Sequence, residues 1–171
     1  YALTTIGSRL VAGGDGGVSI SDNNGVDWGA SNTGLTATPV YAFLPYARTG
    51  GTDLFASAVA GGIFLSTNNG STWVSANGGV PNATVKSLAL VRSTDTSLFA
   101  GTTSGVWRST NHGTSWTLAS TGMTTTSTTA LVTSGSVLIG GTDGGGLLRT
   151  TDKGNTWTPV DIDPRGRSVT S

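Results

Sequence analysis

Apolar residues run through this chain in short stretches, each broken by a turn signal of Gly, Asn, Asp or Pro. The third quarter shows the pattern best. Val85 to Val91 predicts a first strand, and Ser97 to Thr102 predicts a second after the turn around Thr94 and Asp95. Val106 to Thr110 predicts a third strand and Ser115 to Ala119 a fourth. Small residues recur in the second strand of each quarter (Ala12 and Gly13, Ala56 and Ser57, Ala100 and Gly101, Gly140 and Gly141), as crowding toward a common axis would require. No apolar run approaches the ~18 residues of a membrane span.

The four-strand unit is a repeat. SDNNGVDW (21 to 28), STNNGSTW (66 to 73), STNHGTSW (109 to 116) and TTDKGNTW (150 to 157) put tryptophans at 28, 73, 116 and 157, spaced 45, 43 and 41 residues apart. Four strands per ~43 residues is the blade of a β-propeller. The expected fold is therefore all-β, a propeller or propeller-like array in one repeat domain, residues 1–171. The blades fall at about 1–39, 40–84, 85–125 and 126–168, and 169–171 start or complete the first strand of a blade.

Each position of the box has a physical reason. A hydroxyl at position one (Ser21, Ser66, Ser109, Thr150) and an amide or carboxylate at position three (Asn23, Asn68, Asn111, Asp152) can bond the backbone of a tight turn. Glycine at position five (Gly25, Gly70, Gly113, Gly154) supplies a positive φ. The tryptophan (Trp28, Trp73, Trp116, Trp157) is expected to open the fourth strand and bury its ring against the third. Asp27 replaces the usual Ser or Thr before Trp28, which puts the bonding of that turn in question.

These boxes resemble the S-x-D-x-G-x-[ST]-W pattern of the Asp-box, or bacterial neuraminidase (BNR), repeat, and the resemblance covers nearly the whole chain. It is found in sialidases, xyloglucanase-type glycoside hydrolases, sortilin-like receptors, photosystem II assembly factors and secreted bacterial repeat proteins. The resemblance implies that the box is structural, placed on the hairpin between third and fourth strands and away from a ligand-binding mouth. The secreted bacterial members imply a secreted or cell-surface location in a bacterium.

The two ends also speak to each other. VTS (Val169, Thr170, Ser171) followed by YALTT (Tyr1, Ala2, Leu3 onward) aligns with VKSLALVR at 85 to 92, so the chain reads as cut inside a first strand. Two architectures accommodate this. One is a closed four-bladed ring; the other is a segment of a longer array, or a protomer whose strand a neighbour completes. The start at Tyr1, with neither Met nor a leader, reads as a processed product or a piece of something longer.

Composition narrows the partners. Nine Lys and Arg balance nine acids, all of them Asp, and the only lysines are Lys86 and Lys153. Nucleic acid and anionic membranes need clustered basic residues, so neither is an expected partner. With no cysteine, disulfides, thiol chemistry and Cys-ligated zinc are excluded. Helix-favouring Glu is absent while Thr, Val and aromatics favour strands.

Candidate chemistry is sparse. Sialidase chemistry would need a Glu-activated Tyr and an arginine cluster; Glu is absent, and Arg108 and Arg149 share a repeat position that points to a structural role. Asp15 and Asp143, in the second-to-third-strand turns of the first and fourth blades, would be neighbours in a closed ring. There they could face each other as a glycosidase pair or a calcium site, or simply bond their own turns. His112, the only histidine, occupies a variable box position and reads as an exposed turn residue. Trp107 packs between blades or stacks on a sugar. Asn82 begins the better of two glycosylation sequons. No cofactor and no metal are expected. The function that fits is a non-enzymatic secreted or surface scaffold acting by self-association, adhesion or protein binding. A carbohydrate-active enzyme fragment, or a lectin-like glycan binder, is the alternative.

Overall fold

A computed structural model describes residues 1–59, 61–81, 83–92 and 95–161. They form sixteen strands and no helix. The strands make four separate antiparallel sheets of four, each in chain order. The first blade holds β1 (Ala2–Ile6), β2 (Arg9–Gly14), β3 (Gly17–Ser21) and β4 (Gly29–Ala30), and the second β5 (Val40–Arg48), β6 (Gly51–Ala58), β7 (Gly62–Ser66) and β8 (Val74–Ser75). The third holds β9 (Val85–Val91), β10 (Ser97–Thr102), β11 (Gly105–Ser109) and β12 (Thr117–Leu118), and the fourth β13 (Thr128–Ser134), β14 (Val137–Thr142), β15 (Gly146–Thr150) and β16 (Thr158–Val160). The chain is thus a four-blade, β-propeller-like array.

Alternation along the second strand assigns the two faces of each blade. In β6, Leu54 points to the preceding blade and Phe55 to the following one; Leu98 and Phe99 repeat this in β10. We call these the leading and trailing faces. Three apolar clusters result. Val11 and Val18 meet Leu54, Phe64 and Trp73; Phe55 and Ile63 meet Leu98 and Trp116; Phe99 and Val106 meet Leu138, Leu148 and Trp157. The core is therefore three slabs between four blades. The first strands pack β1 to β5, β5 to β9 and β9 to β13, and no contact of comparable extent joins β13 to β1.

The small residues of the second strands are explained by this crowding. A Cβ on Gly13 would lie 2.7 Å from Cγ1 of Val40 in the next blade, and one on Gly101 would lie 2.9 Å from Cγ2 of Thr128.

Three expectations are corrected. A closed four-bladed ring would bury the leading face of blade one against blade four, yet Leu3 is 80% exposed on the first and Val132 61% exposed on the last. The described blades form an open arc. Second, pairing of Ala2 with Gly13 matches pairing of Ser87 with Gly101, so Leu3 and not Tyr1 occupies the place of Leu88. The strand β1 therefore carries almost its whole length itself, and the end-to-end alignment is two residues out of register. Val169, Thr170 and Ser171, assigned to closure, lie outside the described residues, as does Asn82. Third, the fourth strand is shorter than Ser115 to Ala119, because Trp116 leaves the ladder to reach another blade.

Candidate functional site

Every box folds the same way. The position-one hydroxyl accepts the amide of the glycine four residues on, at 2.8 Å for Ser21 and Gly25, 2.9 Å for Ser66 and Gly70, 2.9 Å for Ser109 and Gly113, and 3.0 Å for Thr150 and Gly154. Position three then accepts the amide at position seven: Asn23 from Asp27, Asn68 from Thr72, Asn111 from Ser115 and Asp152 from Thr156, each at 2.9 Å. Asp27 fits this scheme, its carboxylate accepting where the second and third boxes use a hydroxyl. The Asn23 amide donates to the Asp27 carboxylate at 2.8 Å, as the Asn68 amide does to Oγ1 of Thr72. In the fourth box Asp152 accepts from both Oγ1 and the amide of Thr156 and from Thr150, which holds its pKa down at about 2.

Glycine five has the expected positive φ, from 79° to 88° in the four boxes. Position four does too, and no sequence reading foresaw it: Asn24, Asn69, His112 and Lys153 have φ of 57°, 58°, 57° and 60°. Two successive left-handed residues turn the hairpin and aim the tryptophan.

The tryptophan is directed across blades. Trp73 donates its peptide N–H to Thr33 and its indole N–H to Ser31, at 2.9 Å each, both in the preceding blade. Trp116 does the same to Gly78 (2.7 Å) and Ala76 (2.8 Å), and Trp157 to Thr121 (2.9 Å) and Ala119 (2.8 Å). The ring shares its cluster with its own third strand, Trp73 with Phe64 and Trp157 with Leu148, as its sequence position suggested, while its two N–H groups reach the preceding blade. A ring this large, held by two N–H donors on carbonyls, contributes about 4 to 6 kcal/mol of apolar burial by area. Among the described residues no blade stands before Trp28. Its indole turns back to the carbonyl of Gly25 at 3.1 Å, and the side chain is 43% exposed against 2 to 4% for the other three. Beside it Leu3, Thr4, Thr5 and Leu10 line a shallow groove of about 350 Å³.

At the box end, position four meets the preceding blade as well. Arg9 donates to the Asn69 carbonyl at 3.2 Å, His112 Nε2 lies 3.2 Å from Oδ2 of Asp53, and Lys153 bonds Asp95 at 3.1 Å. His112 is thus a half-buried interblade residue, between Tyr46 and Phe55 at 4.6 and 5.2 Å, and not the exposed turn residue expected from its variability. Its partner Asp53 is 1% exposed and also binds Arg48 at 2.8 Å. The readable signal was that position four and the preceding hairpin change together.

The other end of the blades is the mouth. Tyr1, Tyr41, Thr84 and Lys86 line an open hollow of about 440 Å³, with the two tyrosine rings edge to face at 5.3 Å. Hydrogen bonding to Asp15, and the carboxylate's charge, raise the Tyr1 pKa above 10.0. Asp143 is exposed and its amide donates to Ser127 at 2.9 Å. Two blades separate it from Asp15, so the structure does not bring the two carboxylates together. Trp107 lies half-buried against the cluster between the second and third blades. Among the described residues no group of three His, Cys, Asp or Glu could hold a metal ion.

No protein-family model and no curated protein matches the chain. Solved structures do. An ancestral GH74 enzyme superposes with a TM-score of 0.72 at 20% identity, over 92% of this chain and 23% of its own. The extracellular domain of a hybrid two-component system from B. thetaiotaomicron gives 0.76 at 16%, over 96% of this chain and 22% of its own. The GH74 xyloglucanase of Xanthomonas campestris gives 0.70 at 18%, over 94% and 30%. The chain spans less than a third of each of these proteins, and the shared property is the propeller fold.

Proposed function

We propose that this chain is a non-enzymatic module of the Asp-box propeller class, secreted or displayed at a cell surface, whose work is structural: it stacks blades in register and presents them for assembly or adhesion. The observation that carries this reading is the use of three box tryptophans as hooks into the preceding blade. The repeated residues, which dominate the sequence, serve cohesion. Asp15 and Asp143 sit two blades apart, whereas hydrolysis of a glycoside needs a facing carboxyl pair about 5 to 9.5 Å apart. An extracellular domain among the structural neighbours supports the location.

A second reading, a segment of a carbohydrate-active enzyme or a glycan-binding propeller, draws on the tyrosine and lysine hollow at the mouth and on the GH74 neighbours. One experiment separates the two. The purified protein is incubated with xyloglucan, new reducing ends are measured, and the same polysaccharide is titrated calorimetrically. The scaffold reading expects neither hydrolysis nor heat. Hydrolysis abolished by Asp15→Asn or Asp143→Asn would make it an enzyme fragment, and binding lost in Tyr41→Ala or Trp107→Ala would make it a lectin-like module.

A further inference from the structure

We propose that copies of this chain join head to tail, the leading face of blade one docking on the trailing face of blade four of a second copy. This rests on the scaffold reading and names its partner. The template is inside the chain. Between blades two and three, the trailing half-site consists of Phe55, Ile63 and the carbonyl of Ala76, and the leading half-site of Leu88, Leu98 and the Trp116 indole. Among the described residues, both halves recur with no blade packed on them at the ends of the arc. By ladder register, Leu3, Leu10 and Trp28 stand where Leu88, Leu98 and Trp116 stand. On blade four, Ile139 and Leu147 stand where Phe55 and Ile63 stand, and Val160, paired with Leu147, carries the carbonyl three residues after the box tryptophan.

The partial exposure at these ends has the same origin. Leu10 and Ile139 are half-buried, while their counterparts Leu54 and Phe55 are covered by a neighbouring blade. Charge does not oppose the contact. Where the internal interfaces pair Asp53 with His112 and Asp95 with Lys153, the end faces would bring Asn24 to the Gly135 and Ser136 hairpin, all uncharged. Because the two surfaces differ, the interface is heterologous, closing into a ring or propagating as a fibre according to its rotation.

The internal seats are built on glycine. Six residues after Trp28, Trp73 and Trp116 stand Gly34, Gly79 and Gly122, with φ of +83°, +91° and +85°. A Cβ there would meet the carbonyl of the incoming tryptophan, at 2.7 Å for Gly79 and 2.6 Å for Gly122.

The test is sedimentation equilibrium of the 171-residue protein at about 100 μM, well above the micromolar constants of modest interfaces. The expected mass is a multiple of 17.1 kDa. Trp28→Ala, on the head, and Val132→Asp, on the exposed tail, should each give monomers with unchanged circular dichroism. Mixed together they should form a dimer and nothing larger, since one intact head meets one intact tail. A monomeric wild-type protein would overturn the proposal, as would oligomers surviving both substitutions or a mixture that fails to complement. Any of these leaves the scaffold reading standing, which falls only if the polysaccharide assay is positive.

Discussion

The indole nitrogen of Trp116 donates to the carbonyl oxygen of Ala76, 40 residues earlier and in the preceding blade, at 2.8 Å. The peptide N–H of the same tryptophan donates to Gly78 at 2.7 Å. A residue that belongs to one hairpin by sequence thus belongs to two blades by structure. This two-point hook couples each local folding unit to the one before it.

The hook predicts an asymmetry among the four tryptophans. Trp116→Ala should lower stability by about 3 to 5 kcal/mol, the cost of deleting a buried aromatic and orphaning a carbonyl. Trp28→Ala in the monomer should cost less than about 1.5 kcal/mol, because that ring is 43% exposed and bonds only its own turn. Urea unfolding of the two variants decides this. Equal losses would mean that the ring, and not its seat on the preceding blade, is what matters.

A second expectation isolates the seat itself. Gly79 has φ of +91°, and a Cβ there would lie 2.7 Å from the Trp116 carbonyl; Gly144 has φ of +81° and nothing within 4 Å. Alanine at either position meets the left-handed penalty of about 1 to 2 kcal/mol, but only Gly79→Ala also displaces the incoming blade. The expected losses are therefore about 2 to 4 kcal/mol for Gly79→Ala and about 1 to 2 for Gly144→Ala. Thermal or urea melts that show no difference would remove the steric argument.

These relationships mark the boundary of what the sequence discloses. Strand class, repeat length and the glycine at box position five were readable because each is a local property: short apolar runs between turns, a recurring spacing, a backbone that only glycine adopts freely. The tryptophan's hold on the preceding blade was not, since nothing within one unit says which carbonyls its two N–H groups will reach. The second left-handed residue was signalled by asparagine at 24 and 69, residues that tolerate that conformation, but His112 and Lys153 hid it. The pairing of Asp53 with His112 required comparing box position four with the preceding hairpin, because its chemistry is shared between units. The register of β1 was misread by two residues because a short alternating strand aligns nearly as well when slipped by one full period.

Asp53 and His112 should be energetically coupled. Asp53 is buried, accepts from Arg48 and lies 3.2 Å from His112 Nε2, so Asp53→Ala removes the Arg48 acceptor and should cost about 1 to 3 kcal/mol. His112→Asn restores the residue present in the first two boxes and keeps the turn, while giving up the contact with Asp53 and the packing on Tyr46 and Phe55. A double-mutant cycle at neutral pH should return an interaction energy of about 0.5 to 1 kcal/mol. Strict additivity would mean that the 3.2 Å approach has no energetic consequence.

The fourth box carries a pH dependence through Asp152. Asp152 is held at a pKa of about 2, below its ordinary 3.8, first by the Thr156 hydroxyl and then by the Thr156 amide and the Thr150 hydroxyl. A carboxyl whose folded pKa lies below its unfolded value stabilises the fold fully above the unfolded value, and that contribution fades as the pH falls from about 4 through about 2. Asp152→Asn keeps an oxygen for the Thr156 amide and can donate to the Thr156 hydroxyl as Asn68 does to Thr72. The substitution should therefore leave stability near neutral pH within about 0.5 kcal/mol while flattening the acid limb of the stability curve. Asp152→Ala should instead cost about 1 to 2 kcal/mol at neutral pH, as loss of a side-chain cap does. Urea midpoints for the three proteins at pH 7, 4 and 2.5 make the comparison. If the wild type and Asp152→Asn lost stability in parallel on acidification, the titration of Asp152 would not contribute to the acid limb.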